Sequence, residues 1–207
     1  MLSAARIAVL VSGGGTNLQA LIDAERSGLL HSGHIALVIS NNPDAFALER
    51  AAKVGIPTLC LIRKELGGQE AFEAALVAAL EEHAIDLIVL AGFMNILSAD
   101  FTRRYPRRIL NVHPSLIPSF CGKGMYGLRV HEAALRYGVK VTGATVHFVN
   151  EIPDGGQILL QQAVAIQPGD TPEVLQRRVM EQAEWILLPQ AAEQVSAEII
   201  REKEKNT

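Results

Sequence analysis

The tightest constraint on this chain is a rhythm of short, unbroken apolar runs, each followed by a stretch with helical spacing. Residues 6–11 (RIAVLV), 34–40 (HIALVIS) and 86–91 (DLIVLA) are β-branched and apolar with little alternation. A strand apolar on both faces is buried on both faces, as in parallel sheets covered by helices above and below. Residues 18–26, 45–54 and 69–83 carry the helical spacing, and 57–61 and 109–112 read as two further short strands. The order βαβαβαβ predicts an α/β fold with an open, doubly wound, mostly parallel sheet of Rossmann-like type. The last third changes character. Residues 141–149 (VTGATVHFV) and 157–165 (QILLQQAVA) are longer strands joined by a turn around 153–156, which predicts an antiparallel C-terminal portion. A final helix is expected from about residue 172 towards 195, interrupted near Pro189, with the charged end REKEKNT fraying.

The chain has 207 residues, 49% of them hydrophobic, which suits one domain with a sizeable core. We expect a single domain over 1–207, with a phosphate-binding half at 1–100, a catalytic half at 101–195 and a tail at 196–207. Net charge is −3, and the basic clusters are short, so the footprint of a nucleic-acid binder is missing. Two cysteines, Cys60 and Cys121, form no metal-ligand spacing and suit a reducing compartment. No apolar stretch reaches the roughly 20 residues that span a bilayer, and the first apolar run breaks at glycine before a signal-peptide core forms. A cytoplasmic location without membrane contact is the expectation.

Three groups of residues carry chemistry. The first is Ser12-Gly13-Gly14-Gly15-Thr16-Asn17, between the first strand and the first helix. Glycines allow a sharp turn and a close approach, and N–H groups at a helix start attract phosphate. A dinucleotide fingerprint does not fit, because Leu18 occupies the third glycine position and Ser40-Asn41-Asn42 replaces the acidic ribose ligand. A single phosphate monoester fits better, and a tight turn without ligand is the alternative. The second group is Asn111-Val112-His113-Pro114-Ser115, at the carboxyl end of a short strand, where doubly wound sheets bind ligands. The i, i+2 spacing puts Asn111 and His113 on one side, supplying an amide donor and an imidazole to one reacting centre. That pair suits acyl transfer, in which an oxyanion develops. A histidine that only braces the loop is the alternative. The third group is Asp154-Gly155-Gly156, either an ordinary turn or a carboxylate that orients His113, with His147 on the neighbouring strand in supporting position.

The segments SGGGTNLQALIDA, SNNPDAFALERAAKVGIPT, LAGFMNILS, LNVHPSLIPSF and VTGATVHFVNEIPDGGQIL, in that order, resemble the phosphoribosylglycinamide formyltransferase family. The resemblance runs from about residue 6 to residue 195. It implies a formyltransferase-like fold and transfer of a formyl group from 10-formyltetrahydrofolate, the co-substrate, to the amine of phosphoribosylglycinamide, without a metal. It further implies that Asn111, His113 and Asp154 are catalytic, with His113 protonated and paired with Asp154. Gly15, Thr16 and Asn17 would hold the substrate phosphate through backbone N–H groups, and Glu184 the ribose hydroxyls. One extra residue lies between Arg178 and Pro189 relative to the commoner pattern, which makes Glu181, a helical turn away, the fallback. The folate would lie over Met94, Asn95, Ile96 and Leu97 and against Asn111, Val149 and Asp154.

Asn95 and Gln69 stand where many members carry arginine, so Lys64, Lys123 or Arg129 become the candidates for meeting substrate anions. The 119–127 loop is longer than usual and glycine-rich, as a mobile lid would be. Partners are then two small molecules, the protein being a monomer or a homodimer. The competing readings are a 10-formyltetrahydrofolate hydrolase, which normally carries an extra N-terminal domain, and a non-catalytic nucleotide-binding module. A tRNA formyltransferase would need a further RNA-binding domain and a basic surface, and a nicotinamide oxidoreductase the missing fingerprint residues.

Overall fold

A computed structural model describes residues 4–205. In order the elements are β1 (Ala5–Val11), α1 (Thr16–Ser27), β2 (Gly33–Ser40), α2 (Phe46–Lys53), β3 (Thr58–Cys60), α3 (Arg63–Leu66), α4 (Gln69–Glu82) and β4 (Leu87–Leu90). Then come α5 (Ala99–Arg104), β5 (Ile109–His113), α6 (Leu128–Tyr137), β6 (Val141–Phe148), β7 (Ile158–Ala165) and α7 (Pro172–Val179). A π-helical turn (Met180–Glu184) joins α7 to α8 (Trp185–Lys205).

The strands form one sheet of order β3-β2-β1-β4-β5-β6-β7. Pairing is parallel from β3 through β5 and antiparallel for β5–β6 and β6–β7, as the change in strand character predicts. The central strands are almost wholly buried because both faces are covered. One core cluster joins β1, β4, β5 and β6 to Leu18 and Leu21 of α1 and Leu188 and Val195 of α8. The other packs Phe72, Leu76 and Leu80 of α4 and Phe101 of α5 on the opposite face. Each fully buried Leu or Phe contributes on the order of 2 kcal/mol of transfer free energy, which fixes the face each helix turns inward.

Three helices lay outside the sequence reading. α3 and α5 are too short for a periodicity to show, although the Ser98 hydroxyl caps α5 by accepting from Phe101 N–H at 3.1 Å. α6 follows the Pro/Gly-rich loop directly. The last helix departs in two ways. Pro189 does not interrupt it, because the proline lies one turn into α8, where the preceding π turn has already shifted the hydrogen-bond ladder. The tail stays helical through Lys205: Glu202 pairs with Arg108, and Lys203 meets Asp86 at 2.7 Å. No helix among the described residues is long and apolar enough to cross a membrane.

Candidate active site

The strand order reverses between β1 and β4, and the carboxyl ends of these strands and of β5 open on one edge of the sheet. A cleft of about 340 Å³ lies there, bordered by Asn17, Gly92–Ile96, Asn111, His113, the 122–127 loop, Asp154, Met180 and Glu184. A recess of about 130 Å³, reaching Leu97, His147 and Val149, shares Asn111 and Asp154 with it. A larger groove of about 600 Å³ runs between α1 and α8, but it contains none of the catalytic candidates.

Asn111, His113 and Asp154 meet where cleft and recess join. The register of β5 against β6 sets Asn111 opposite His147 and His113 opposite Thr145. The His147 ring nitrogen Nδ1 lies 2.9 Å from the Phe148 carbonyl, so it carries the proton there, and Nε2 accepts from the Asn111 amide at 3.2 Å. That leaves the second Asn111 N–H unspent. His113 Nε2 faces the Phe120 carbonyl at 2.9 Å, and its Nδ1 lies 3.5 Å from Asp154 Oδ2. Asp154 Oδ1 is 3.6 Å from His147 Nε2, and Oδ2 accepts from Gly122 N–H at 2.8 Å.

The turn that delivers Asp154 is built by its glycines. A Cβ on Gly156 would lie 1.6 Å from the Phe148 carbonyl oxygen, so the chain crosses the end of β6 only with glycine there. Asp154 itself has φ 56°, a left-handed backbone that aspartate tolerates better than most residues. Phe120, whose carbonyl meets His113, has φ 50°, a strained backbone beside the reacting groups.

Electrostatics separate the members of this group. Burial pushes the His113 imidazole below its ordinary value, and Asp154 and the Phe120 carbonyl pull it back only partly. Burial works to raise Asp154, but the His147 and His113 rings and Gly122 N–H outweigh it and hold the carboxyl low. Burial thus opposes a charge on His113, while both of its ring nitrogens face oxygen acceptors, the Phe120 carbonyl and Asp154, as a protonated ring would.

On the other side, β1 runs into Ser12–Asn17. Gly15 has φ 71° and precedes α1, and no side chain among the described residues caps that helix start. The N–H groups of its first turn are thus available to an anion. Asn17 lines the cleft and donates from Nδ2 to Glu184 Oε2 at 2.8 Å. The Thr16 hydroxyl turns instead to the Met180 sulfur, 3.7 Å away, so only its backbone faces the loop's task. Glu184 is buried, and burial raises its carboxyl to about 7 despite the Asn17 hydrogen bond. It closes the π turn, whereas Glu181 is exposed and paired with Arg177.

In the folate-side segment Met94 and Ile96 are exposed and form a shelf, and Asn95 lines both spaces. Leu97 is mostly core, touching only the recess, and Val149 lines the recess while its N–H donates to Ile109.

The sequence profile of the Formyl transferase family matches residues 5–191. The chain belongs to this family. It is similar to the phosphoribosylglycinamide formyltransferase of Haemophilus influenzae, with 46% identity over 177 residues, 86% of this chain and 81% of that protein. It is also similar to the Bos taurus trifunctional purine biosynthetic protein adenosine-3, 47% identical over 199 residues, 95% of this chain but only 19% of that protein. The crystal structure of glycinamide ribonucleotide transformylase 1 from Symbiobacterium toebii superposes with a TM-score of 0.88 at 42% identity, covering 94% of this chain and 89% of that one.

Within this formyl transferase the remaining candidates are dispersed. Of the three basic candidates only Lys123 lines the cleft; Arg129 stacks on Tyr126 at 4.9 Å, and Lys64 lies on exposed α3. Gln69 is held by Arg63, Glu73 and the Ile96 carbonyl. Sequence reasoning missed the braces of the site. Thr145 donates to the Ser115 carbonyl at 2.7 Å and accepts from Ile117 N–H at 3.1 Å, shaping the loop after His113. Ser12 Oγ accepts from Met94 N–H at 2.8 Å and ties the two arms of the cleft together. A threonine opposite the candidate histidine in the antiparallel pair was the one signal that could have marked Thr145.

Proposed function

We propose that the protein transfers the formyl group of 10-formyltetrahydrofolate to the amine of phosphoribosylglycinamide, giving formylglycinamide ribonucleotide and tetrahydrofolate. The observation that carries this reading is the meeting of Asn111, His113 and Asp154 at one point between a phosphate-type loop and an apolar shelf. The phosphoribosyl substrate then lies along Gly15, Thr16 and Asn17, with Glu184 on its ribose, and the folate lies along Met94–Leu97 and Val149.

With both molecules bound, the substrate amine forms its bond to the formyl carbon and the formyl oxygen gains negative charge. The unspent Asn111 N–H donates to that oxygen, its direction fixed by the bond to His147. Asp154, held ionised, accepts the proton released from the amine, directly or through a water. His113, protonated from solvent before the substrates close over it and paired with Asp154, adds a charged partner for the oxyanion and keeps its proton through the transfer. As the bond from the formyl carbon to folate N10 breaks, the proton ends on N10. His147 orients Asn111 and does not touch the reacting atoms.

The test is release of deformylated folate, followed by absorbance, with and without phosphoribosylglycinamide. Glycinamide-dependent release, falling about a thousandfold in Asp154→Asn, is the expected result. Release that ignores the glycinamide would establish a hydrolase instead, and none at all would leave a binding module.

A further inference from the structure

We infer that Arg50 is a positioning residue for the substrate phosphate, holding the Ser12–Gly14 peptides so that their N–H groups face away from α2. This rests on the reading above that the loop takes the phosphate. Three successive loop carbonyls are pinned from the β2–α2 side. Asn42 Nδ2 donates to the Ser12 carbonyl at 3.3 Å, Ala47 N–H to Gly13 at 3.0 Å, and Arg50 Nε to Gly14 at 2.8 Å. In a trans peptide the carbonyl of one residue and the N–H of the next point in opposite directions. Pinning these carbonyls therefore turns the N–H groups of Gly13, Gly14 and Gly15 away from α2 before any ligand arrives, which lowers the ordering cost of binding.

Arg50 is the only one of the three that also grips α1: its Nη1 donates to Gln19 Oε1 at 3.0 Å. Its guanidinium sits 4.9 Å from the Phe46 ring centre, and no carboxylate among the described residues pairs with it. The positive charge thus remains uncompensated behind the loop. The fit is close, since a Cβ on Gly15 would meet Ala47 Cβ at 2.6 Å and Arg50 Cδ at 3.4 Å. A lysine keeps the charge but cannot donate to Gly14 and Gln19 in the same fork.

The test compares wild type with Arg50→Lys. KM for phosphoribosylglycinamide should rise about tenfold, with kcat changed less than about twofold and KM for the formyl donor unaltered. The dephosphorylated glycinamide riboside should be used equally well by both proteins. A wild-type KM in Arg50→Lys, or equal losses on the phosphorylated and dephosphorylated substrates, would overturn the inference. Calorimetric titration with inorganic phosphate gives a readout that needs no turnover: weaker binding to the variant supports the role, and equal binding refutes it. If the wild type transfers no formyl group, the functional reading fails and the phosphate titration alone decides on Arg50. Should Arg50→Lys not fold, Gln19→Met, which removes the Nη1 anchor and an exposed hydrogen bond to Asp23, takes its place in that titration.

Discussion

The loop after β1 presents chiefly backbone groups, and the β5–β6 end of the sheet meets the cleft with side chains. At the end of β1 the exposed groups are loop peptides, fixed from behind by Asn42, Ala47 and Arg50. At the end of β5 they are Asn111, His113 and Asp154, each held by another polar group. Both strands end at the same edge, but β5 pairs with antiparallel β6, which returns to the site and brings His147 and then the Asp154 turn. A parallel neighbour would have carried those residues to the far side of a crossover. The difference teaches where specificity and chemistry belong: peptide N–H groups bind an anion without titrating, and interacting side chains tune each other's protonation.

The largest effect that would break this comparison lies in the side-chain half. Asn111→Ala should lower kcat by about a hundred- to a thousandfold while leaving KM for either substrate nearly unchanged, as loss of an oxyanion donor does. A change confined to KM would move Asn111 to the binding side.

Glu184 sits between the halves, a buried side chain next to the backbone loop. Its folded value of about 7 exceeds its ordinary 4.5, so its stabilising contribution is complete below pH 4.5 and is lost as pH rises through about 7. Glu184→Gln should therefore be more stable than wild type at pH 8, by on the order of 3 kcal/mol, with the gap closing towards pH 4.5. Denaturant unfolding across that range measures it, and a gap independent of pH would exclude the buried carboxyl as the cause.

The smallest predicted effect concerns His131 on α6, fully buried with no partner for either ring nitrogen among the described residues. Burial and the neighbouring His113 lower its imidazole from 6.5 to about 4. A depressed histidine stabilises above its unfolded value, and that contribution is lost as pH falls towards the folded one. Between pH 8 and pH 5 the wild type should lose about 2 kcal/mol relative to His131→Leu. Parallel acid limbs in chemical denaturation would show that His131 has a proton acceptor or donor after all.

The apolar runs of β1, β2 and β4 and the glycines of the 12–17 loop were legible because their chemistry is local: a strand buried on both faces and a turn at a helix start leave their marks within a few residues. The same holds for the Asn111–His113 pair, whose shared face follows from strand geometry. α6 escaped because LRVHEAALRY is only ten residues long and adjoins a glycine-rich loop. The π turn escaped because a single added residue leaves no compositional trace.

The sequence by itself therefore determined the sheet, its change from parallel to antiparallel, and the residues able to carry acyl-transfer chemistry. Only the tertiary structure decided which of them act together. It brought Asp154 to 3.5 Å from His113 across 40 intervening positions, buried Glu184 against Asn17 while leaving Glu181 exposed, and gave the Gly14 carbonyl to Arg50. The physical reason is that spacing along a chain fixes direction within one element. Convergence between elements depends on register, on the steric need for glycine at 156, and on which polar groups burial leaves facing one another.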